Sequence, residues 1–136
     1  GSVSDAIVSG YDLLPTLAQV VGFDLPDDRP IDGENVSAIL RGEPFARERP
    51  LYWEFDDVRG MHYALRDGEW KLLANEALDY LELYHLASDR HEVVNRATSE
   101  PEVLATMVAK LRRHAKSVRE DPLQPDWIQT NREGHD

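Results

Sequence analysis

Apolar positions change their spacing twice along the chain, and each change marks a different kind of element. Near the start, Leu13, Leu14, Leu17, Ala18, Val20 and Val21 cover nearly the whole circumference of a helix, broken only by Thr16 and Gln19. Asp12 stands in the N-cap position, Pro15 falls in the first turn where its missing N–H costs little, and Gly22 is placed to stop the helix. A short helix this apolar requires burial on more than one side. Two readings follow: it is a core helix of this chain, or it packs on a further domain. Ahead of it, residues 3–8 read as a short strand or an extended lead. Behind it, Pro26, Pro30 and Gly33 make residues 23–35 a long loop, and a short helix is predicted over Val36 to Arg41, closed by Gly42.

From residue 51 the period becomes that of strands. Leu51 to Phe55 is the first, rich in aromatics. Met61 to Arg66 and Glu69 to Ala74 flank Asp67-Gly68, a strong hairpin signal. Alternation puts Met61, Tyr63 and Leu65 on one face and His62, Ala64 and Arg66 on the other. Trp70 is expected in the sheet face, with Arg66 and Lys71 pairing with Asp67 or Glu69. Leu81 to Leu86 is a further strand. The last change is to helical spacing: Val103, Leu104, Met107, Val108, Leu111, Ala115 and Val118 form one stripe, opened by a capping box at Ser99-Glu100-Pro101-Glu102 and ended by Asp121-Pro122. Leu123, Trp127 and Ile128 are the anchors of the tail. The predicted class is α+β: an antiparallel sheet of about four strands with one long C-terminal helix packed on it, preceded by a buried helix and a long loop.

Composition narrows the partners more than the fold. At 136 residues with 41% apolar and 30% charged positions, the chain suits a single folded domain. No apolar run is long enough to span a bilayer as a helix, and no charged-then-apolar leader opens the sequence. The 26 acidic against 15 basic residues give a net charge of -11, which disfavours nucleic acid and anionic membrane as partners. Cysteine is absent, so disulfides, zinc ribbons and a thiol nucleophile are excluded within this segment.

The remaining chemistry is sparse. Asp27-Asp28 and Asp56-Asp57 are paired carboxylates, but adjacent side chains point apart, and His85 and His91, near Asp89 and Glu92, lack a ligand spacing. No metal site and no catalytic residue is assigned: there is no Gly-x-Ser-x-Gly elbow and no phosphate-cradling glycine loop. The most site-like stretch is the loop Asp56-Asp57-Val58-Arg59-Gly60 with His62 beyond it, which sets a cation and an imidazole beside Tyr52 and Trp53. Its plain alternative is a hairpin loop with a solvated Arg and an edge-strand His.

Several strings then line up in order. Asp12-Leu13-Leu14-Pro15-Thr16 with Gly22 resembles the "DLLPT…G" segment of type I sulfatases. Leu25-Pro26 with Ile31-Asp32-Gly33 resembles their "LP…DG" loop, Leu40-Arg41-Gly42 their "LxG", and Leu51-Tyr52-Trp53-Glu54-Phe55 their "LYWEF" strand. Residues 64–72 are similar to their "AVRxGxWKL" hairpin, and Leu83-Tyr84-His85-Leu86 with Asp89, Glu92 and Asn95 to "LYDLxxDPxExxN". His85 stands where that family has Asp, and Arg90-His91 where it has Pro-Gly. Order and spacing over residues 12–96 carry the resemblance, which is to the C-terminal part of formylglycine-dependent sulfatases of the alkaline-phosphatase-like superfamily, the arylsulfatase-A and N-acetylgalactosamine-6-sulfatase branch in particular.

The resemblance implies a parent enzyme that hydrolyses aryl or glycan sulfate esters with a formylglycine and a calcium ion. Both belong to a large N-terminal α/β domain, along with a Cys/Ser-x-Pro/Ala-x-Arg signature that has no match here; Ser37 and Arg41 have that spacing, but Ile39 takes the middle position. It divides the chain into residues 1–48, the end of the large domain; 49–120, a small α+β domain; and 121–136, a tail. This segment alone is then expected to be inactive and to hold no cofactor. Its expected partners are the N-terminal catalytic domain and a sulfated glycan or aryl sulfate, with self-association through Leu13, Leu14, Leu17, Val20 and Val21 in isolation. The parent is expected in the periplasm or secreted. Arg59 and His62 are the substrate-binding candidates: the guanidinium fork suits sulfate oxygens and the imidazole a sugar hydroxyl. Two other readings are a non-catalytic binding module and part of a phosphate or phosphonate ester hydrolase of the same superfamily.

Overall fold

A computed structural model describes residues 3–28, 30–55 and 57–120. The chain forms two compact units, Gly1–Leu51 and Tyr52–Asp136.

In the first unit, residues 3–9 form no regular element, and a 3-10 turn at Gly10–Asp12 leads into α1, Leu13–Val21. Gly22 ends α1 in the left-handed conformation, φ +72°, with its N–H on the Ala18 carbonyl. Asp12 precedes the helix as expected, but its carboxylate does not cap it. The side chain turns back to accept the Ser9 N–H at 2.7 Å, reaches across to the Glu34 N–H at 2.9 Å, and pairs with Arg47. Arg47 also donates to the Ile7 carbonyl at 3.1 Å, and the Thr16 hydroxyl accepts the Val36 N–H at 3.0 Å. Polar bonds thus hold α1 to the loop, through the face where Pro15, Thr16 and Ala18 are buried. A Cβ on the buried Gly33 would overlap the Tyr11 carbonyl, so only glycine lets the loop approach.

The large apolar side chains of α1 point elsewhere. Leu13, Leu14, Leu17, Val20 and Val21 are 53% to 73% exposed, so the described residues do not supply the burial that their pattern called for. The reading of α1 as a core helix of this chain is corrected accordingly. α2 spans Ser37–Leu40, shorter than expected, with the Asn35 side chain accepting the Ser37 N–H.

The second unit is built on a four-stranded antiparallel sheet in sequence order: β1 (Leu51–Glu54), β2 (Met61–Asp67), β3 (Trp70–Asn75) and β4 (Leu81–His85). The β2–β3 turn lies one residue later than the Asp67-Gly68 pattern suggested. Asp67 pairs with Trp70, and Gly68 takes the left-handed first turn position at φ +55°. Asp67 is thereby a strand residue, and it pairs with Lys110. Lys71 pairs with Glu92 and Glu69 with His85, so the expected pairs within the hairpin do not form.

One irregularity shifts the faces. Met61 stands opposite Asn75 and Tyr63 opposite Ala74, so β2 advances two residues where β3 advances one. This bulge moves Met61 off the face of Tyr63 and Leu65. Tyr63 and Leu65 pack with Leu72, Ala74 and Leu83, whereas Met61 joins Ala64, Leu73 and Tyr84 on the other side. Strict alternation, which put Met61 with Tyr63, is corrected by that extra residue.

Helix α3, Pro101–Arg119, lies on the first of these faces through Met107, Leu111 and Ala115, with Val103, Leu104 and Val108 half-buried beside them. The Ser99 capping box is absent. Proline at the first helical position keeps Glu100 out of the helical region, at φ -125° and ψ 59°, so Glu100 becomes the N-cap and the Ser99 hydroxyl bonds the Arg96 carbonyl instead. The proposed helix stop at Asp121-Pro122 and the anchors Leu123, Trp127 and Ile128 lie outside the described residues.

Two outcomes follow. Leu111 is fully buried, and Leu111→Ala should lower stability by about 2–5 kcal/mol, read as a fall in the urea midpoint at unchanged m, while the exposed Arg113→Ala stays within about 0.5 kcal/mol of the parent chain. Asp12 supplies the second. Burial pushes its carboxyl up, but the Arg47 guanidinium and the Glu34 and Ser9 N–H groups outweigh this and hold its pKa below the ordinary value. A lowered native pKa contributes stability that is complete above the unfolded-state value and lost as pH falls through the native one. The melting temperature should therefore drop steeply below about pH 4, and Asp12→Asn should melt lower at pH 7 with a flatter acid limb.

Candidate functional site

The face of the sheet opposite α3 carries the concavity of interest. Its floor follows from alternation: Phe55 on the β1 side, Ala64 on β2 and Leu73 on β3 all project away from the helix. Trp53, 36% exposed, lines one side of the hollow, which is open to solvent and measures about 420 Å³. Arg59 and the Lys71–Glu92 pair complete its rim.

The Lys71–Glu92 pair is held from both sides. Lys71 lies on β3 directly across from Tyr84 and donates to both carboxylate oxygens of Glu92, at 2.6 and 2.7 Å. Glu92 has a left-handed backbone, φ +54°, unusual for a residue with a side chain. The turn that imposes this is fixed by Asp89, whose carboxylate accepts the N–H groups of Val93 and Val94 at 3.0 and 2.9 Å. Those N–H groups, Val94 first, hold the Asp89 carboxyl below the usual range. Nearby, the Tyr84 hydroxyl donates to Glu82 at 3.1 Å, and burial followed by that acidic neighbour pushes its pKa up to about 12.

Arg59 and His62 sit differently from one another. Arg59 is exposed in the loop after β1, its Nε 3.0 Å from Asp57 Oδ2 and its backbone N–H 2.5 Å from Asp57 Oδ1. Loss of water works to raise the Asp57 carboxyl, but the Arg59 N–H and guanidinium and the Met61 N–H outweigh it and lower the pKa. Asp56 lies outside the described residues. His62 sits in the bulge of β2, with Nε2 3.1 Å from Glu54 Oε1 and its ring edge-on to Tyr63 at 4.5 Å. Each candidate therefore has its own carboxylate, and His62 is not among the residues lining the hollow.

Their aromatic neighbours also part company. Trp53 shares the hollow with Arg59, whereas Tyr52 points toward α3, stacked on Tyr63 at 6.2 Å and on His114 at 5.8 Å, with its hydroxyl on Glu54 at 3.0 Å. Sequence reasoning missed Lys71 and Glu92 as site residues. The available signal was that Lys71 and Leu73 share a face two residues apart; the left-handed turn at Glu92 left none. His85 bonds Ser88 and Glu69, and among the described residues no group of three or more His, Asp or Glu side chains is gathered as a metal site. An aromatic wall, an apolar floor and rim charges already matched in pairs equip this hollow for binding by stacking and hydrogen bonding.

A family model described as N-sulphoglucosamine sulphohydrolase, C-terminal, matches residues 1–121. Arylsulfatase K of Mus musculus is 29% identical over 119 residues, which cover 79% of this chain and 21% of that protein, so the chain spans about a fifth of this relative's length. Among solved structures, a 2-O GAG sulfatase aligns with a TM-score of 0.63 at 24% identity, over 81% of this chain and 25% of that one. The phosphonate monoester hydrolase of Agrobacterium radiobacter aligns with a TM-score of 0.58 at 24% identity, over 82% and 26%. At these identities the two structures speak to fold alone.

Proposed function

Because the chain belongs to the N-sulphoglucosamine sulphohydrolase C-terminal family, we propose that it is the C-terminal part of a larger sulfatase that hydrolyses sulfate esters, with a sulfated glycan as substrate. The match of residues 1–121 to a model of a sulfatase C-terminal region carries this reading. The names of the relatives, arylsulfatase K and a 2-O GAG sulfatase, support sulfate esters as the class of substrate. Residues 1–48 are then the end of the large catalytic domain and residues 49–120 the small domain. The exposed apolar side chains of α1 suit docking on that catalytic domain.

The described residues do not fit the calcium or the formylglycine of such an enzyme. They gather no group of three or more metal-ligating side chains, and the chain has neither a cysteine nor the nucleophile signature. No step through either group is assigned to this chain, and the segment alone is inactive in this reading. Its own contribution is to the substrate. Arg59 is exposed and offers guanidinium N–H groups beyond the one on Asp57, suited to a sulfate or carboxylate on the glycan. His62 lies against Glu54 at 3.1 Å, and an imidazole is a group able to hydrogen-bond a sugar hydroxyl.

The second reading, a phosphonate or phosphate ester hydrolase, is favoured by one observation, the shared fold of the Agrobacterium radiobacter enzyme. In the full-length protein, Arg59→Ala and His62→Ala should each raise KM for a sulfated oligosaccharide by about three- to tenfold and leave 4-nitrophenyl sulfate turnover within about twofold. Equal losses on both substrates would mark a folding defect, and no loss on either would return both residues to an ordinary surface loop.

A further inference from the structure

We propose that the hollow on the open face of the sheet is a binding site for an uncharged sugar ring, with Trp53 as its platform and the Lys71–Glu92 pair as its hydrogen-bonding edge. The inference extends the glycan reading above, but the groove's chemistry stands on its own observations.

The first is shape and lining. A hollow of about 420 Å³ falls within the range of small-molecule sites, roughly 300–1,000 Å³, and its floor is apolar. A pyranose has one face of C–H groups that packs on an aromatic ring and a periphery of hydroxyls that need donors and acceptors. Trp53, partly exposed beside Phe55 and Leu73, supplies the first requirement.

The second is charge. The cation on this edge is already matched: Lys71 contacts both oxygens of Glu92. An anionic group seated on this edge would have to compete with Glu92 for Lys71 and approach a chain of net charge -11. A neutral polyol has no such need. Lys71 has a third N–H for a hydroxyl oxygen, and the carboxylate oxygens of Glu92 have lone pairs left for a hydroxyl proton. A Lys–carboxylate edge thus donates and accepts within one sugar's width.

The third is strain. Glu92 is kept in a left-handed backbone by the Asp89 turn, and the result is a carboxylate aimed at Lys71 on the rim. Non-glycine residues held this way persist where surrounding structure over-determines them, and they concentrate at binding sites.

The test uses the full-length protein with three neutral probes: chitotetraose, cellotetraose and mannotetraose. At least one should bind in calorimetry, with a Kd that changes less than about twofold between roughly 50 and 500 mM NaCl. Trp53→Ala should weaken that binding by about tenfold or more, and Trp53→Phe, which keeps a ring, should retain most of it. Lys71→Met should weaken it as well. Absence of binding to all three sugars, or equal affinity in Trp53→Ala, would overturn the proposal. So would binding confined to a heparin-derived tetrasaccharide that is steeply salt-dependent and indifferent to Trp53→Ala. Sugar binding through Trp53 in a protein that cleaves no sulfate ester would keep the groove and remove the sulfatase reading. Sulfate ester cleavage with no such binding would do the reverse.

Discussion

Between Met61 and Tyr63, β2 advances two residues while β3 advances one, and the two faces of the sheet take their composition from this bulge. Below it, Tyr63 and Leu65 belong to the side covered by α3. Above it, Met61 crosses to join Ala64, Leu73 and Tyr84. Without the extra residue Met61 would face the helix, and the apolar cluster of the second face would lose a buried member. The same residue, His62, is thereby placed against Glu54 at the strand entrance, beside the loop that carries Arg59. Bulges re-aim side chains at sheet edges and near binding sites, and this one separates a helix-covered face from an open one.

The two faces perform different work. On the helix side Met107, Leu111 and Ala115 close over strand residues, and most of the unit's apolar burial is there. On the other side the charges come in matched pairs, Lys71 with Glu92 and Arg59 with Asp57, around an aromatic and aliphatic hollow. The first unit shows the same division in another form. Polar bonds through Asp12, Thr16 and Arg47 hold α1 to its loop, while the leucines and valines of α1 stay uncovered. The chain spans about a fifth of its relative arylsulfatase K, and under the proposed function those side chains would dock on the catalytic domain of a larger sulfatase.

The parts legible in the sequence are those governed by local spacing. The α3 stripe, the four strands and the hairpin could be read because period and turn residues are encoded within a few positions of each other. What was not legible depends on distant partners or on one-residue geometry. Alternation has no mark for an extra residue, so Met61 was placed on the wrong face. The Ser99 capping box looked complete, yet Pro101 excluded Glu100 from the helix and moved the cap by one. Asp12 was read as a cap, and only the fold brings Arg47 and the Glu34 N–H to its carboxylate. The site was half legible: Arg59 and Trp53 share the hollow, but His62 and Tyr52 face other partners, and Glu92 enters through a left-handed turn that its side chain does not announce.

The proposed function makes the chain part of a sulfate ester hydrolase. The measurement that reaches this most directly is kcat/KM of the full-length protein for the sulfate, phosphate and methylphosphonate monoesters of one phenol, since a shared leaving group isolates the transferred group. The account predicts that the sulfate ester is the best of the three by at least about tenfold. A preference for the phosphonate or phosphate ester, or no hydrolysis of the sulfate ester, would contradict it.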